Sequence, residues 1–222
     1  MIRAIVADDE PLMRFALRTL LESQDDIVVI AEARDGAQMV EQAREGRPDL
    51  VLTDLRMPGM DGIEAARSLG ELPEPPAVLV LTTFDTEDGI ARALAAGATG
   101  YLLKDAPPEQ VVAAVRLVAA GGTALAPVPA ARLATAGAGR RGVGGPGASP
   151  GLRGRLAGLS AQQRELLRHL GAGLSNAEIA RSMHLSEGTV KAYVSRLMSV
   201  LEVDNRTQAA ILAHQAGLAG GI

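Results

Sequence analysis

Five short runs of aliphatic and β-branched residues alternate with longer amphipathic stretches over about the first 120 residues. The runs cover Ile2–Ala7, Ile27–Ala33, Leu50–Thr53, 78–82 and 99–103. Such runs predict buried strands, and the stretches between them predict helices. Strands that alternate with helices form βαβ units around a parallel sheet. Because a barrel needs eight such units, five predict an open, doubly wound α/β domain with a five-stranded parallel sheet.

The amphipathic stretches also predict which helix faces are buried. Residues at helical spacing should form one apolar side that packs on the sheet. These residues are Leu12, Phe15, Ala16, Thr19 and Leu20 in the first stretch, Met39, Val40 and Ala43 in the second, Ile90, Ala93, Leu94 and Gly97 in the fourth, and Val111, Val112, Val115 and Val118 in the fifth.

The charge of the chain changes sign along its length. Residues 1–122 carry 11 Lys and Arg against 21 Asp and Glu, whereas residues 123–222 carry 11 against 5. From about residue 136 to 155 the chain is mostly Gly, Ala, Pro and Arg without apolar periodicity, which predicts flexibility. Helical spacing returns at residue 156. We therefore predict an α/β domain over 1–122, a mostly flexible linker over 123–155 and a small all-α domain over 156–222.

The composition excludes several classes of protein. With no cysteine, the chain cannot have a disulfide framework, a thiolate nucleophile or a zinc site with Cys ligands. No apolar run approaches the roughly 20 residues of a membrane span, and Asp8 follows the N-terminus too closely for a signal peptide. We expect a cytoplasmic protein without a membrane partner.

Acidic residues end the first predicted strand and follow the third. Asp8 and Asp9 end the first, and Asp54 follows the third. Functional groups in open parallel sheets collect beyond the carboxyl ends of the strands, where the strand order reverses. If the order is 2-1-3-4-5, the flavodoxin-like order, these two strands are neighbours and the three carboxylates converge. Their repulsion is costly unless a divalent cation shares the site, and Mg²⁺ suits carboxylate, carbonyl and water ligands.

The last two predicted strands add a hydroxyl and an ammonium to the same edge. Thr82 ends the fourth strand and Lys104 follows the fifth, in a chain with 20 Arg and only two Lys. A compact ammonium suits contact with a single phosphoryl oxygen. This set of groups predicts that Asp54 attacks a phosphoryl group as a nucleophile, while the metal ion and Lys104 neutralise its charge. Taken alone, Asp8 or Asp9 would instead predict a helix N-cap ahead of Pro11.

The pattern of Asp8-Asp9, Asp54 within Asp-Leu-Arg-Met-Pro-Gly-Met-Asp-Gly, Thr82 and Lys104 resembles the receiver domains of response regulators. The resemblance implies that Asp54 is the phosphoacceptor. It implies that Asp9, Asp54 and the backbone carbonyl of Arg56 bind Mg²⁺, and that Asp8 completes the pocket mostly through water. It also implies that Thr82 follows the phosphoryl group and that Tyr101 changes rotamer with it.

Residues 175–201 predict a helix, a short turn and a second helix. Ser160 with Gln163 and Ser175 with Glu178 form capping boxes, and Ser186 can cap the second helix. On that helix Val190, Val194, Leu197 and Leu201 should face a core. Small and basic residues on the other side could enter a major groove of DNA. The predicted DNA contacts are Thr189, Lys191, Ala192, Ser195 and Arg196.

The stretch from Leu159 to Leu218 resembles the LuxR-type helix-turn-helix, and together with a receiver it resembles the NarL/FixJ class. This implies a sensor histidine kinase as phosphate donor, double-stranded DNA as target and a homodimer after phosphorylation, through the helix after Asn205. The chain departs from the usual pattern at Gln162-Gln163, at Tyr193, where His is usual, and at Val200, where a basic residue is usual. Fewer basic residues predict weaker phosphate contacts.

Two alternatives to a transcription regulator remain open. One is a phosphatase in which a second Asp, two residues after the nucleophile, acts as acid and base, but Arg56 occupies that position. The other is a protein-interaction module that has kept the helix-turn-helix shape without binding DNA. We expect a regulator that is not an enzyme.

Overall fold

The computed structural model describes residues 1–83, 87–125, 156 and 158–218, and the side chain of Ile90 is not among those described. Most of the predicted linker, residues 126–155, therefore lies outside the described residues. The chain divides into two units, Met1–Ala119 and Ala120–Ile222. None of the described helices combines the length and apolar character that a bilayer crossing requires.

The first unit has the predicted open parallel sheet, in which β1 to β5 lie in the order 2-1-3-4-5. The strands are β1 (Ile2–Ala7), β2 (Ile27–Ala33), β3 (Leu50–Thr53), β4 (Ala77–Thr82) and β5 (Gly100–Leu103). The helices are α1 (Pro11–Glu22), α2 (Gly36–Gly46), α3 (Gly62–Gly70), α4 (Glu87–Ala95) and α5 (Pro108–Ala119). Helix α1 contacts α5, while α3 contacts both α2 and α4, so helices cover both faces of the sheet.

Helix α1 buries a different face from the predicted one. Leu17 and Leu21 are its buried residues. Arg18 reaches across the helix to Glu32 on β2, with 2.8 Å between the guanidinium and the carboxylate. The predicted apolar side faces solvent instead at Leu12, Phe15, Ala16 and Thr19. The residues predicted as core in α2 and α5 are buried, as are Ala93 and Leu94 of α4. Gly97 lies beyond the end of α4 and is half-buried.

The register of the sheet sets which side chains meet at its carboxyl edge. Ala7 of β1 pairs with Thr53 of β3, so Asp8 and Asp54 follow two paired residues. The Asp54 amide donates to the backbone oxygen of Ala7 at 2.9 Å. On the other side, the Lys104 amide donates to the backbone oxygen of Thr82 at 2.8 Å. The predicted residues therefore lie at the end of β4 and directly after β1, β3 and β5.

The second unit contains four described helices and a short strand. The strand, β6 (Ala124–Leu125), was not predicted and lies in the segment expected to be linker. The helices are α6 (Ala161–Gly171), α7 (Asn176–Met183), α8 (Glu187–Leu201) and α9 (Arg206–Gln215). Both predicted capping boxes are present, at the starts of α6 and α7, and the Ser186 side chain accepts from the Thr189 amide at the start of α8. Leucines of α6 pack with residues of α7, α8 and α9 in one apolar core.

Candidate functional site

Three carboxylates meet at the carboxyl edge of the first unit. Asp8, Asp9 and Asp54 each offer an oxygen, and these oxygens lie within 4.8 Å of one another. Asp8 and Asp54 are 1% and 7% exposed, whereas Asp9 faces solvent. The pocket is therefore closed by protein on the side of Asp8 and open to water on the side of Asp9.

Lys104 lies between the two buried carboxylates. Its Nζ is 2.6 Å from Asp8 Oδ2 and 2.7 Å from Asp54 Oδ2. Burial lowers the pKa of the Lys104 ammonium, but hydrogen bonds and charges from Asp54 and Asp8 outweigh burial, so its pKa is raised. The ammonium therefore stays charged at neutral pH and offsets much of the repulsion between the carboxylates.

The second carboxylate oxygen of Asp54 is oriented by the backbone that follows it. Asp54 Oδ1 accepts from the Leu55 amide at 2.5 Å and from the Arg56 amide at 3.4 Å. A carboxylate held from both sides loses little freedom when it reacts, which favours a defined line of attack. The Arg56 side chain itself is exposed.

Two predicted switch residues are buried on the neighbouring strands. Thr82 is 1% exposed at the end of β4, where its backbone oxygen binds the Lys104 amide. Tyr101 is fully buried on β5 and pairs with Val80 of β4. Thr82 thus borders the pocket, because its backbone contacts Lys104. Tyr101 lies farther along the sheet from the three carboxylates.

The acidic pair does not form the helix cap that was the alternative prediction. The residue before the first turn of α1 is Glu10, and no side chain caps that helix. Asp8 Oδ1 instead accepts from the Glu10 amide at 2.9 Å, which turns the chain away from β1. The pair therefore belongs to the pocket.

The donor set fits Mg²⁺. Mg²⁺ takes hard oxygen ligands and keeps several waters. The clustered oxygens of Asp8, Asp9 and Asp54 supply carboxylate ligands, and the exposure of Asp9 leaves space for water. Asp8 and Asp54 both also bind Lys104, whereas Asp9 faces solvent, so Asp9 is the carboxylate most open to a cation.

Helix α8 presents the predicted DNA-facing side to solvent. Val190, Val194, Leu197 and Leu201 are buried, as predicted. The opposite side is exposed at Lys191, Ala192, Ser195 and Arg196, and Thr189 is half-buried at its start. Small side chains between two cations allow close approach of another surface, which suits a DNA groove.

Arg206 connects helix α9 to the start of α7. Its guanidinium donates to Asn176 Oδ1 at 2.6 Å and to the backbone oxygen of Leu174. Burial lowers the pKa of Arg206 to about 10. These bonds hold the first helix of the helix-turn-helix against the rest of the unit, a role that the sequence motif alone did not reveal.

Comparison with protein families decides the identity of the first unit. A family model described as the response regulator receiver domain matches residues 4–116. The chain is a response regulator. A second model, described as bacterial regulatory proteins of the luxR family, matches residues 157–213, so this response regulator carries a LuxR-type DNA-binding domain.

Relatives and a solved structure match almost the whole response regulator. The transcriptional regulatory protein LnrK of Bacillus subtilis (strain 168) is 39% identical over 98% of this chain and 99% of its own. The nitrate/nitrite response regulator protein NarL of Escherichia coli (strain K12) is 35% identical over 95% and 94%. The crystal structure of the response regulator ChrA, from a heme-sensing two-component system, is 41% identical over 98% of both chains, with a TM-score of 0.53. The chain is thus a two-component regulator of transcription, of the NarL and LuxR type.

Two residues that support the receiver pocket were not identified from the sequence. A Cβ atom at Gly62 would lie 2.1 Å from the backbone oxygen of Asp54, so only glycine fits there. The sequence feature that could have identified Gly62 is its place directly after Asp61, which caps α3. The other is Arg14, whose guanidinium donates to the backbone oxygen of Asp8, and for which the sequence offered no signal.

Proposed function

We propose that this response regulator accepts a phosphoryl group on Asp54 from a sensor histidine kinase. Phosphorylation then promotes a homodimer whose α8 helices bind double-stranded DNA and regulate transcription. The observation that carries this proposal is the contact of Lys104 Nζ with Asp54 Oδ2 at 2.7 Å, inside a cluster of three carboxylates. The proposed place of action is the cytoplasm, where bacterial DNA lies.

The chemistry follows from the groups around Asp54. An Asp54 oxygen attacks the phosphorus of a phosphohistidine that is protonated on its other ring nitrogen. A P–O bond forms, the P–N bond breaks with its electron pair on nitrogen, and neutral imidazole leaves. Lys104 and the Thr82 hydroxyl contact the phosphoryl oxygens. Mg²⁺, when held by Asp9, Asp54 and the backbone carbonyl of Arg56, with Asp8 mostly through water, would supply charge neutralisation.

Arg56 argues against a phosphatase. A guanidinium does not give up its proton at neutral pH, so Arg56 cannot act as the acid and base that phosphatase turnover requires. The side chain is also exposed. We therefore propose a regulator rather than an enzyme.

The proposed switch begins at Thr82. Movement of its side chain toward a phosphoryl group opens space near β5, and Tyr101 changes rotamer in response. Tyr101 is fully buried in this state, so its movement must repack neighbours on the sheet. The repacking biases the surface around α4 and β5 toward dimerisation.

The nucleophile is tested by incubation with acetyl phosphate and Mg²⁺, followed by intact-mass spectrometry. Wild type should gain one phosphoryl group, and Asp54→Asn should gain none, because an amide oxygen is a poor nucleophile. Asp25→Asn, the same change at an exposed carboxylate, is the control and should behave as wild type. Equal phosphorylation of Asp54→Asn and wild type would show that another residue is the acceptor.

The DNA contacts are tested by fluorescence anisotropy with DNA from upstream of the protein's own gene. Lys191→Ala and Arg196→Ala should each weaken binding by about tenfold and lower the slope of log affinity against log salt by about 1, since each loses a phosphate contact. Arg67→Ala removes the same charge from an exposed site on α3 and is the control. Equal binding by all three variants would show that the DNA contacts lie elsewhere, and no binding by wild type would favour the alternative of a protein-interaction module.

A further inference from the structure

Arg14 lies on α1 beside the loop that carries Asp8 and Asp9. Its Nη1 is 2.5 Å from the backbone oxygen of Asp8. Its Nε is 3.7 Å from Glu32 Oε2 on β2, and only 18% of the side chain is exposed. The chemistry proposed above does not use this residue, although it is bound to the backbone of the acidic loop.

Asp8 is restrained at four atoms, one of them by Arg14. Its amide donates to the backbone oxygen of Ala33 at 3.1 Å. Its two carboxylate oxygens bind the Glu10 amide at 2.9 Å and Lys104 at 2.6 Å. Arg14 holds the remaining polar atom, the backbone oxygen. The peptide group that leads into Asp9 is therefore fixed at its carbonyl end.

Asp9 depends on that peptide group for its direction. Its side chain is exposed, and within the described ranges no hydrogen bond holds its carboxylate. Because the peptide unit is planar, the orientation of the Asp8 carbonyl determines the direction in which the chain enters Asp9. Through the Asp8 carbonyl, Arg14 thus influences the orientation of Asp9, the least restrained carboxylate of the cluster.

We propose that Arg14 is a positioning residue for Mg²⁺ binding, which holds the Asp8 carbonyl and thereby directs the Asp9 carboxylate toward the cation. The inference rests on the proposed function, in which Asp9 and Asp54 bind Mg²⁺. Groups that orient metal ligands commonly change metal affinity by 10–100-fold.

The sign of the effect separates positioning from simple electrostatics. A guanidinium near a cation site repels the cation, so loss of its charge alone should strengthen Mg²⁺ binding. Loss of the hydrogen bond from Arg14 to Asp8 should instead weaken Mg²⁺ binding. A weaker site after removal of a positive charge is therefore diagnostic of positioning.

Arg18 is the matched control for this test. It lies one turn along α1, carries the same charge and also binds Glu32, at 2.8 Å. Its other described partner is Glu22 at 3.1 Å, and it makes no described contact with Asp8. Arg18→Ala and Arg14→Ala thus remove the same charge and the same partner on β2, but only the second removes the bond to the acidic loop.

The experiment is isothermal titration of MgCl₂ into the unphosphorylated full-length chain. Arg14→Ala should bind Mg²⁺ about tenfold more weakly than wild type, whereas Arg18→Ala should differ by less than twofold. A difference between the two variants of less than fivefold, or tighter binding by Arg14→Ala, overturns the inference. If Arg14→Ala does not fold by circular dichroism, Arg14→Met, which keeps the aliphatic stem, replaces it under the same criterion.

A kinetic measurement adds a second readout. In the acetyl phosphate reaction, Arg14→Ala should need more Mg²⁺ for half-maximal phosphorylation but reach the wild-type rate at saturation. A lower maximal rate with unchanged Mg²⁺ dependence overturns the inference. If wild type itself binds no Mg²⁺, the proposed function fails as well; if wild type binds it and Arg14 has no effect, only this inference fails.

Discussion

Gly62 determines the shape of the loop that presents Asp54. Its amide donates to the backbone oxygen of Leu55 at 3.0 Å, so the start of α3 lies directly against the residues that follow β3. A methyl group at this position would overlap the Asp54 carbonyl. The geometry of Asp54 therefore depends on a residue that has no side chain.

We expect Gly62→Ala to destabilise the receiver by about 1–3 kcal/mol, because the added methyl must displace backbone. It should also slow phosphorylation of Asp54 by acetyl phosphate. Gly70→Ala is the control, since a Cβ atom at Gly70 meets nothing within 4 Å. That change should leave phosphorylation unaffected and stability equal or slightly higher. Urea denaturation measures both variants, and equal stability of the two would contradict the proposed overlap.

At the scale of elements, helix α8 combines two functions on opposite sides. Its buried side packs in the core of the second unit, and its exposed side carries Lys191 and Arg196. Val200 lies near its end, 44% exposed, where the family pattern has a basic residue. The exposed cations Lys191 and Arg196 thus lie nearer the middle of the helix.

A buried histidine links helices α6 and α7. His169 is 3% exposed, and its Nε2 is 3.2 Å from Ser182 Oγ. Its Nδ1 is buried without a hydrogen-bond partner among the described atoms. Burial, helped by the charge of Arg168, lowers the pKa of His169 despite the opposing effect of Glu165. The neutral imidazole is therefore the form that packs in this unit.

We expect the second unit to lose stability as the pH falls below about 6.5, the usual pKa of an unfolded histidine. Below that pH the unfolded chain binds a proton that the folded chain does not bind until its own, lower pKa. The loss should not exceed about 1.4 kcal/mol per pH unit for this group. His169→Gln should reduce this dependence, and His214→Gln, at an exposed position of α9, should not. Thermal unfolding at pH 7.5 and 5.5 measures this pH dependence of stability. The same dependence in His169→Gln as in wild type would contradict its assignment to His169.

At the scale of the whole molecule, the two functions belong to separate units. The acidic pocket lies within Met1–Ala119, and helix α8 with its core lies within Ala120–Ile222. The charge of the chain follows the same division, with an acidic first part and a basic second part. Each unit has its own hydrophobic core, so a ligand of one need not stabilise the other directly.

We expect Mg²⁺ to raise the unfolding temperature of the first unit, seen as one calorimetric transition, and to leave the transition of the second unit unchanged. At a concentration one hundred times its dissociation constant, a ligand stabilises the folded state by about 2.7 kcal/mol. Asp9→Asn should abolish the shift, because it removes a proposed metal ligand while leaving the contacts of Lys104 intact. Differential scanning calorimetry of the full chain provides the measurement. Equal shifts of both transitions would contradict independent unfolding.

The sequence alone was sufficient for the fold class and for naming residues that meet at the carboxyl edge, whereas the strand order entered only as an assumption that the structure then confirmed. Strand periodicity and the place of Asp8, Asp54, Thr82 and Lys104 at strand ends are local properties of the chain, and parallel strands present their carboxyl ends at one edge. The capping boxes at Ser160 and Ser175 are equally local, because all their partners lie within three residues.

Only the tertiary structure decided which face of α1 is buried and how Lys104 bridges two carboxylates. Helix α1 has apolar residues on more than one side. In the structure Leu17 and Leu21 are buried, while Arg14 and Arg18 of the same helix bind Glu32 of β2. Such choices depend on groups from other strands, whose positions relative to the helix exist only after the sheet has formed. The contacts of Gly62 and Arg206 are of the same kind, because each joins segments that local sequence patterns treat separately.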